Sequence, residues 1–171
     1  LREALAKHRH QAVIATKFGY DWYNNQPREG HRERPQRWDA EFIRYACEQS
    51  LRRLGTDYID LYQLHNPRLE TIRNDEVFAT LDELVNEGKV RYYGTALGPD
   101  IGWKAEGDAS MSERRVPSMQ IIYSIIEQQP TRYFLPTARE QNTGLLARVP
   151  HASAVLTDQF EEQDKVEFDP A

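Results

Sequence analysis

The sequence predicts an α/β protein with a parallel sheet, of the (β/α) TIM-barrel type. Short apolar runs alternate with helical segments along the chain, and no hairpin signal joins consecutive strands, which indicates parallel strands with right-handed crossovers. No G-x-G-x-x-G follows any strand, so a barrel is favoured over an open dinucleotide-binding sheet. A whole barrel needs eight strands in about 250 residues. Because only five strands are evident, we expect the middle part of a barrel in a single domain, 1–171.

The first half of the chain contains two predicted strands. The predicted elements are a helix at 1–10, a strand at 11–19, a loop at 20–38, a helix at 40–54, a strand at 57–65 and a helix at 75–87. Asp39 and Asn74 are suitable N-caps for the two later helices. Gly55 and Gly88 stand where helices commonly end in the left-handed conformation.

The second half adds three predicted strands, at 89–97, 117–126 and 143–152. The stretch 98–115 is rich in glycine and charge, so we expect a connection there. A weak helix is predicted at 131–142, because Pro136 interrupts its pattern.

Composition limits the functions that this chain can have. The 171 residues carry a formal net charge of −5, which argues against a nucleic-acid surface. No apolar run approaches the ~20 residues of a membrane span. Cys47 is the single cysteine, so no internal disulfide can form, and a cytoplasmic location is expected. No H-x-x-x-H or C-x-x-C spacing indicates a metal site.

Two polar residues end the first two strands. Lys17 closes one apolar run and His65 closes the next. Parallel strands gather their chemistry at their C-terminal ends, and neighbouring strands lie ~4.8 Å apart, so both side chains should face one pocket. Such donors suit a group that becomes negative during reaction, for example a carbonyl oxygen that accepts a hydride. The alternatives are an exposed lysine and a hydrogen-bonded core histidine.

Four segments carry a family resemblance. They are VIATKFG at 13–19, SLRRLGTDYIDLYQLHNP at 50–67, LDELVNEGKVRYYGTALGP at 81–99 and MQIIYSIIEQ at 119–128. They resemble the third and fourth strands, the fourth helix with the fifth strand, and the sixth strand of the aldo-keto reductases. These are barrel enzymes that reduce carbonyls with NADPH. The resemblance covers nearly the whole chain and places it at about strands 3 to 7.

The resemblance implies roles for four residues. Lys17 matches the lysine that lowers the pKa of a catalytic tyrosine, and His65 matches the histidine that orients the substrate carbonyl. Gln120 matches a glutamine that holds the nicotinamide carboxamide. Arg148 stands where many members place an aromatic ring against the nicotinamide, so this cation is expected to meet a phosphate or the substrate. The implied cofactor is NADPH and the implied substrate is a small carbonyl compound.

The sequence also departs from the family pattern. We expect three features of the family to lie outside residues 1–171. They are the proton-donating tyrosine, the aspartate that pairs with the lysine and the segment that binds the adenosine phosphate. Ala96 and Leu97 replace a Ser-Asn pair that holds the carboxamide in many members. Tyr20, Trp22 and Tyr23 are expected to pack in the loop or to line the pocket, rather than to replace the missing proton donor.

Two functions therefore stay open. The first is an NADPH-dependent reductase of aldehydes or ketones, for which this chain is either a natural truncation or a piece of a longer enzyme. The second is a non-catalytic barrel fragment that serves as a binding or assembly module. Open sheet edges expose unpaired backbone groups, so a second copy or a partner chain is expected to cover them.

Overall fold

The computed structural model describes residues 2–5, 7–24, 33–98 and 103–157. Within these ranges the chain forms one five-stranded sheet whose spatial order follows the sequence. The strands are β1 (Ala15–Phe18), β2 (Ile59–His65), β3 (Val90–Ala96), β4 (Ser118–Ile122) and β5 (Gly144–Arg148). All neighbouring pairs are parallel, which confirms the predicted sheet.

Six α-helices accompany the sheet in the described part of the chain. They are α1 (Arg2–Leu5), α2 (Ala40–Leu54), α3 (Leu69–Ile72), α4 (Asp75–Asn86), α5 (Trp103–Ser112) and α6 (Gln129–Gln141), with a short 3-10 helix at Arg9–Gln11. Asp39 caps α2 by accepting a hydrogen bond from the Phe42 N–H at 3.0 Å. Gly55 ends α2 with a φ of 67°. None of the helices described is long and apolar enough to span a lipid bilayer.

Several helices differ from the sequence prediction. The helix expected at 1–10 consists, in the described residues, of α1 and the 3-10 helix at Arg9–Gln11, and the short α3 was not predicted. α5 lies in the stretch expected to be a connection, and its Gly107 contacts α6 so closely that a Cβ would lie 2.3 Å from the Phe134 ring. α6 continues through Pro136. Phe134 and Ala138 are buried in the cluster that α6 shares with the sheet. This burial outweighs the backbone hydrogen bond that the proline removes.

One side of the sheet is buried and the other is open. Phe18 and Tyr62 stack at 4.3 Å between ring centroids within the core that α2 and α4 cover. On the opposite side Tyr92 is 62% exposed and Leu146 is 39% exposed. Lys17 is exposed on this side, whereas Gln63, which pairs with it on β2, is fully buried.

Asp60 stabilises the N-terminal end of β2, as a structural acceptor rather than an acid catalyst. It accepts the Ile14 N–H at 2.9 Å and forms ion pairs with Arg9 at 2.8 Å and Arg91 at 2.9 Å. Burial favours the neutral acid, yet these donors hold the pKa of the Asp60 carboxyl below its ordinary value.

Gly94 sets the distance between β3 and β4. It pairs with Ser118, which pairs in turn with Gly144. A Cβ on Gly94 would lie 2.4 Å from the Ser118 carbonyl oxygen, whereas at Gly144 no atom comes nearer than 3.5 Å. The same register places Ala96 beside Gln120 two residues further along. The glycine therefore maintains the close approach that positions Gln120.

Replacing Gly94 with alanine should destabilise the chain by about 1–3 kcal/mol, because β3 and β4 must separate to admit the methyl group. Gly144→Ala is the matched control and should change the free energy of unfolding by less than about 1 kcal/mol. Urea denaturation of both variants checks this. Equal losses of stability in the two variants would contradict it.

Candidate functional site

The strand register brings the four predicted site residues to the open side of the sheet. Lys17 pairs with Gln63, two residues before His65. His65 pairs with Ala96, which pairs with Gln120, and Arg148 pairs with Ile122, two residues after Gln120. Paired residues, and residues two apart on one strand, point to the same side of a sheet. Lys17, His65, Gln120 and Arg148 thus share one side. Lys17, His65 and Arg148 lie towards the C-terminal ends of their strands, and Gln120 lies in the middle of β4.

Three of these residues influence one another electrostatically. Partial burial lowers the pKa of the Lys17 ammonium, and the Arg148 guanidinium lowers it further. Burial, Lys17 and Arg148 lower the pKa of His65, while the Glu33 carboxylate opposes them. Among the described residues, no carboxylate lies within ion-pair distance of Lys17. The lysine instead remains in contact with solvent.

Lys17 lies on β1 and Arg148 on β5, at opposite edges of the five strands. Arg148 nevertheless acts on Lys17. A twisted, coiled sheet of the predicted barrel type has a concave side, on which side chains of distant strands converge.

Arg148 is held in place by the end of β3. Its Nη2 donates to the Leu97 carbonyl oxygen at 3.1 Å, and its Nε is buried without a hydrogen-bond partner among the described residues. Burial lowers the pKa of Arg148, with Glu127 and Tyr20 opposing. The Leu97 side chain packs into the core with Met119. Only the backbone of Leu97 therefore serves the site.

Gln63 is a site residue that the sequence interpretation missed. It is fully buried, and in the described chain neither its amide oxygen nor its amide nitrogen has a partner. It lies on the same side as Lys17 and His65. The signal in the sequence was a glutamine in the apolar run DLYQLH, two residues before the histidine.

Tyr20 is the loop aromatic that reaches the site. Its ring meets the His65 ring edge-on, with 4.9 Å between centroids. Its hydroxyl donates to Glu33 Oε1 at 2.6 Å and accepts from Asn66 Nδ2 at 2.9 Å. Burial and Glu33 raise the pKa of Tyr20. The Tyr20 ring thus lies beside His65, with its hydroxyl hydrogen-bonded to Glu33 and Asn66.

The other two loop aromatics lie away from His65. Trp22 is exposed, with the Arg34 guanidinium 4.4 Å from its ring centroid. Tyr23 packs against the Phe42 and Tyr45 rings of α2. Both are explained by loop packing.

Comparison with known proteins identifies the family. The model of the Aldo/keto reductase family matches residues 1–170. The chain belongs to this family. Its similarity to two Bacillus subtilis (strain 168) proteins agrees: it is 33% identical to "Uncharacterized oxidoreductase YqkF" over 159 residues, covering 91% of the chain and 47% of that protein. It is 31% identical to "Aldo-keto reductase YhdN" over 162 residues, covering 94% of the chain and 45% of that protein.

Solved aldo-keto reductases share the fold. The holo form of AKR11C1 from Bacillus halodurans superposes with a TM-score of 0.78 at 28% identity, covering 98% of this chain and 52% of that one. The glycerol dehydrogenase AKR11B4 from Gluconobacter oxydans superposes with a TM-score of 0.76 at 28% identity, covering 96% of this chain and 48% of that one. The predicted TIM-barrel type and family resemblance are confirmed. The chain spans about half the length of the curated relatives it matches.

The cations beside His65 should be visible in its titration. Lys17→Met removes one of the positive charges that lower the pKa of His65, so this pKa should rise, while burial keeps it below the ordinary value of 6.5. Side-chain NMR across the pH range checks this, with Lys104→Met as the control. An unchanged or lower pKa in Lys17→Met would contradict it.

The same shift has a consequence for stability. Because the unfolded chain binds this proton more readily than the folded chain, the His65 contribution makes the fold less stable as pH falls through 6.5.

Proposed function

We propose that this aldo-keto reductase chain contributes the carbonyl-reducing site of an NADPH-dependent oxidoreductase that acts on aldehydes or ketones. The observation that carries the proposal is the placement of Lys17, His65, Gln120 and Arg148 on one concave side of a parallel sheet, near the strand ends where barrel enzymes hold their active sites. The oxidoreductase names of the relatives support it.

The residues present fit a nicotinamide. The Gln120 amide makes no hydrogen bond within the described chain, and the buried Gln63 amide and Arg148 Nε are likewise unpartnered. A carboxamide carries a donor and an acceptor that complement a glutamine amide. We therefore assign Gln120 to the carboxamide and Arg148 to the nicotinamide ring or a phosphate. When bound, the reduced cofactor supplies the hydride.

His65 and Lys17 serve the carbonyl oxygen. With its pKa lowered, His65 is a neutral imidazole at pH 7 and donates one N–H to the oxygen, while Tyr20 packs edge-on against its ring. The ammonium of Lys17 stabilises negative charge that develops nearby during hydride transfer. No described residue is assigned as proton donor, since Glu33 engages the Tyr20 hydroxyl.

An NADPH titration followed by nicotinamide fluorescence tests this function. The chain should bind NADPH saturably, and Gln120→Leu should weaken binding about tenfold, the effect of losing hydrogen bonds worth about 1.4 kcal/mol. Gln141→Leu, on α6, is the matched control and should bind like the parent. A chain that melts cooperatively but leaves fluorescence unchanged in excess NADPH would refute the function for these residues.

A second candidate function is an assembly module, favoured by the open side of the sheet. Tyr92 and Leu146 are 62% and 39% exposed there. In the described chain, β1 and β5 each pair along one edge only. Another copy or a barrel-forming partner that covers this side would satisfy both the apolar side chains and the strand edges.

Sedimentation velocity distinguishes this candidate. A second copy on the open side should give a species of twice the 20.0 kDa chain mass, and Tyr92→Glu with Leu146→Glu should return it to the monomer. Ile125→Glu, which changes an exposed apolar residue outside the sheet, is the control. A monodisperse monomer, with no complex formed in a pull-down, would contradict the assembly function.

A further inference from the structure

The open side of the sheet carries two cations in the part of the chain that the structure describes. Lys17 and Arg148 lie at its two edges, and both act on His65 between them. Within the described residues, neither cation has a carboxylate at ion-pair distance. The acids that act from further away are Glu33, which accepts the Tyr20 hydroxyl, and Glu127, which is exposed. Water screens exposed charges of this kind.

Arg148 is the cation best placed to exert a lasting field. It is half-buried and fixed by its bond to the Leu97 carbonyl, so its charge cannot swing into solvent as the Lys17 ammonium can. Its Nε remains unpartnered. A charge in a partly desolvated position acts more strongly on its surroundings than one in water.

A nicotinamide ring changes its charge when it reacts. The oxidised ring carries one positive charge and the reduced ring carries none, while the rest of the cofactor is the same in both forms. A positive site therefore repels the oxidised ring and is indifferent to the charge of the reduced one. This discrimination is stronger the closer the ring lies to the cation.

We propose that Arg148, assisted by Lys17, makes this site bind the reduced nicotinamide cofactor more tightly than the oxidised one. The inference rests on the proposed function, because it requires that the site takes a nicotinamide. This preference favours carbonyl reduction over the reverse reaction. Carbonyl reduction starts from the reduced form and ends with the oxidised form, so the positive side retains the reactant cofactor and promotes release of the product cofactor.

Paired binding measurements isolate the charge of the ring. Dissociation constants for NADPH and NADP⁺ are measured by isothermal calorimetry on the full chain and on Arg148→Met, Arg148→Lys and Arg132→Met. The 2′-phosphate and pyrophosphate occur in both forms, so the ratio of the two constants reports the ring alone. This readout does not depend on turnover.

The expected result is a ratio Kd(NADP⁺)/Kd(NADPH) well above one in the parent chain. The ratio should fall about tenfold in Arg148→Met, as for the loss of one nearby charge. It should stay near the parent value in Arg148→Lys, which retains the charge, and in the surface control Arg132→Met. Added salt should lower the parent ratio more than that of Arg148→Met, in which only Lys17 remains.

The outcomes separate this inference from the function on which it rests. If both cofactor forms bind and the ratio is the same in the parent and Arg148→Met, the inference is wrong and the proposed function stands. If Arg148→Met weakens both forms equally, Arg148 only shapes the site, and the inference again fails. If neither form binds to the folded parent chain, the inference and the proposed function fail together.

Discussion

The register of the parallel sheet is the constraint on which the candidate site depends. Side chains alternate between the two sides of a strand, so a slip of one residue in β1 would bury Lys17 against the helices and expose Phe18. The stacked Phe18 and Tyr62 rings oppose such a slip from the core side. Between β3 and β4 the Gly94 contact fixes the approach, and with it the position of Gln120. Packing on the helix-facing side thus determines chemistry on the open side.

Elements specified by local chemistry could be predicted from the sequence. The strand cores and the Asp39 and Gly55 ends of α2 each follow from residues within a few positions of one another. α5 could not be predicted, because its Gly107 is favoured by tertiary contacts with Phe134 and Leu97, which lie outside α5. Continuation of α6 through Pro136 depends on the same packing. Tertiary contacts override local propensity in both cases.

The candidate site, like the fold, was predicted only in part. Lys17 and His65 were found because strand ends carry chemistry in parallel folds, and the register places them together. The contact between Tyr20 and His65 depends on two hydrogen bonds from later in the loop, in which Glu33 accepts the Tyr20 hydroxyl and Gln36 donates to the His65 carbonyl oxygen. No local sequence pattern predicts these bonds. Gln63 could not be singled out from the sequence, because a glutamine can occur in a strand for many reasons. Only the structure shows that its amide is buried without a hydrogen-bond partner among the described residues.

The lowered pKa of His65 favours a neutral imidazole, so that the positive charge of the site lies on Lys17 and Arg148. A charged imidazole between Lys17 and Arg148 would place three like charges on one concave surface, at a cost that partial burial increases. Keeping the imidazole neutral retains a hydrogen-bond donor at the end of β2 and confines the positive charge to the edges, on β1 and β5. Under the proposed function, a substrate oxygen near His65 would accept a neutral N–H while lying in the field of the two cations. Such a field would stabilise negative charge as it develops on the oxygen, and it would oppose positive charge on a ring bound beside it.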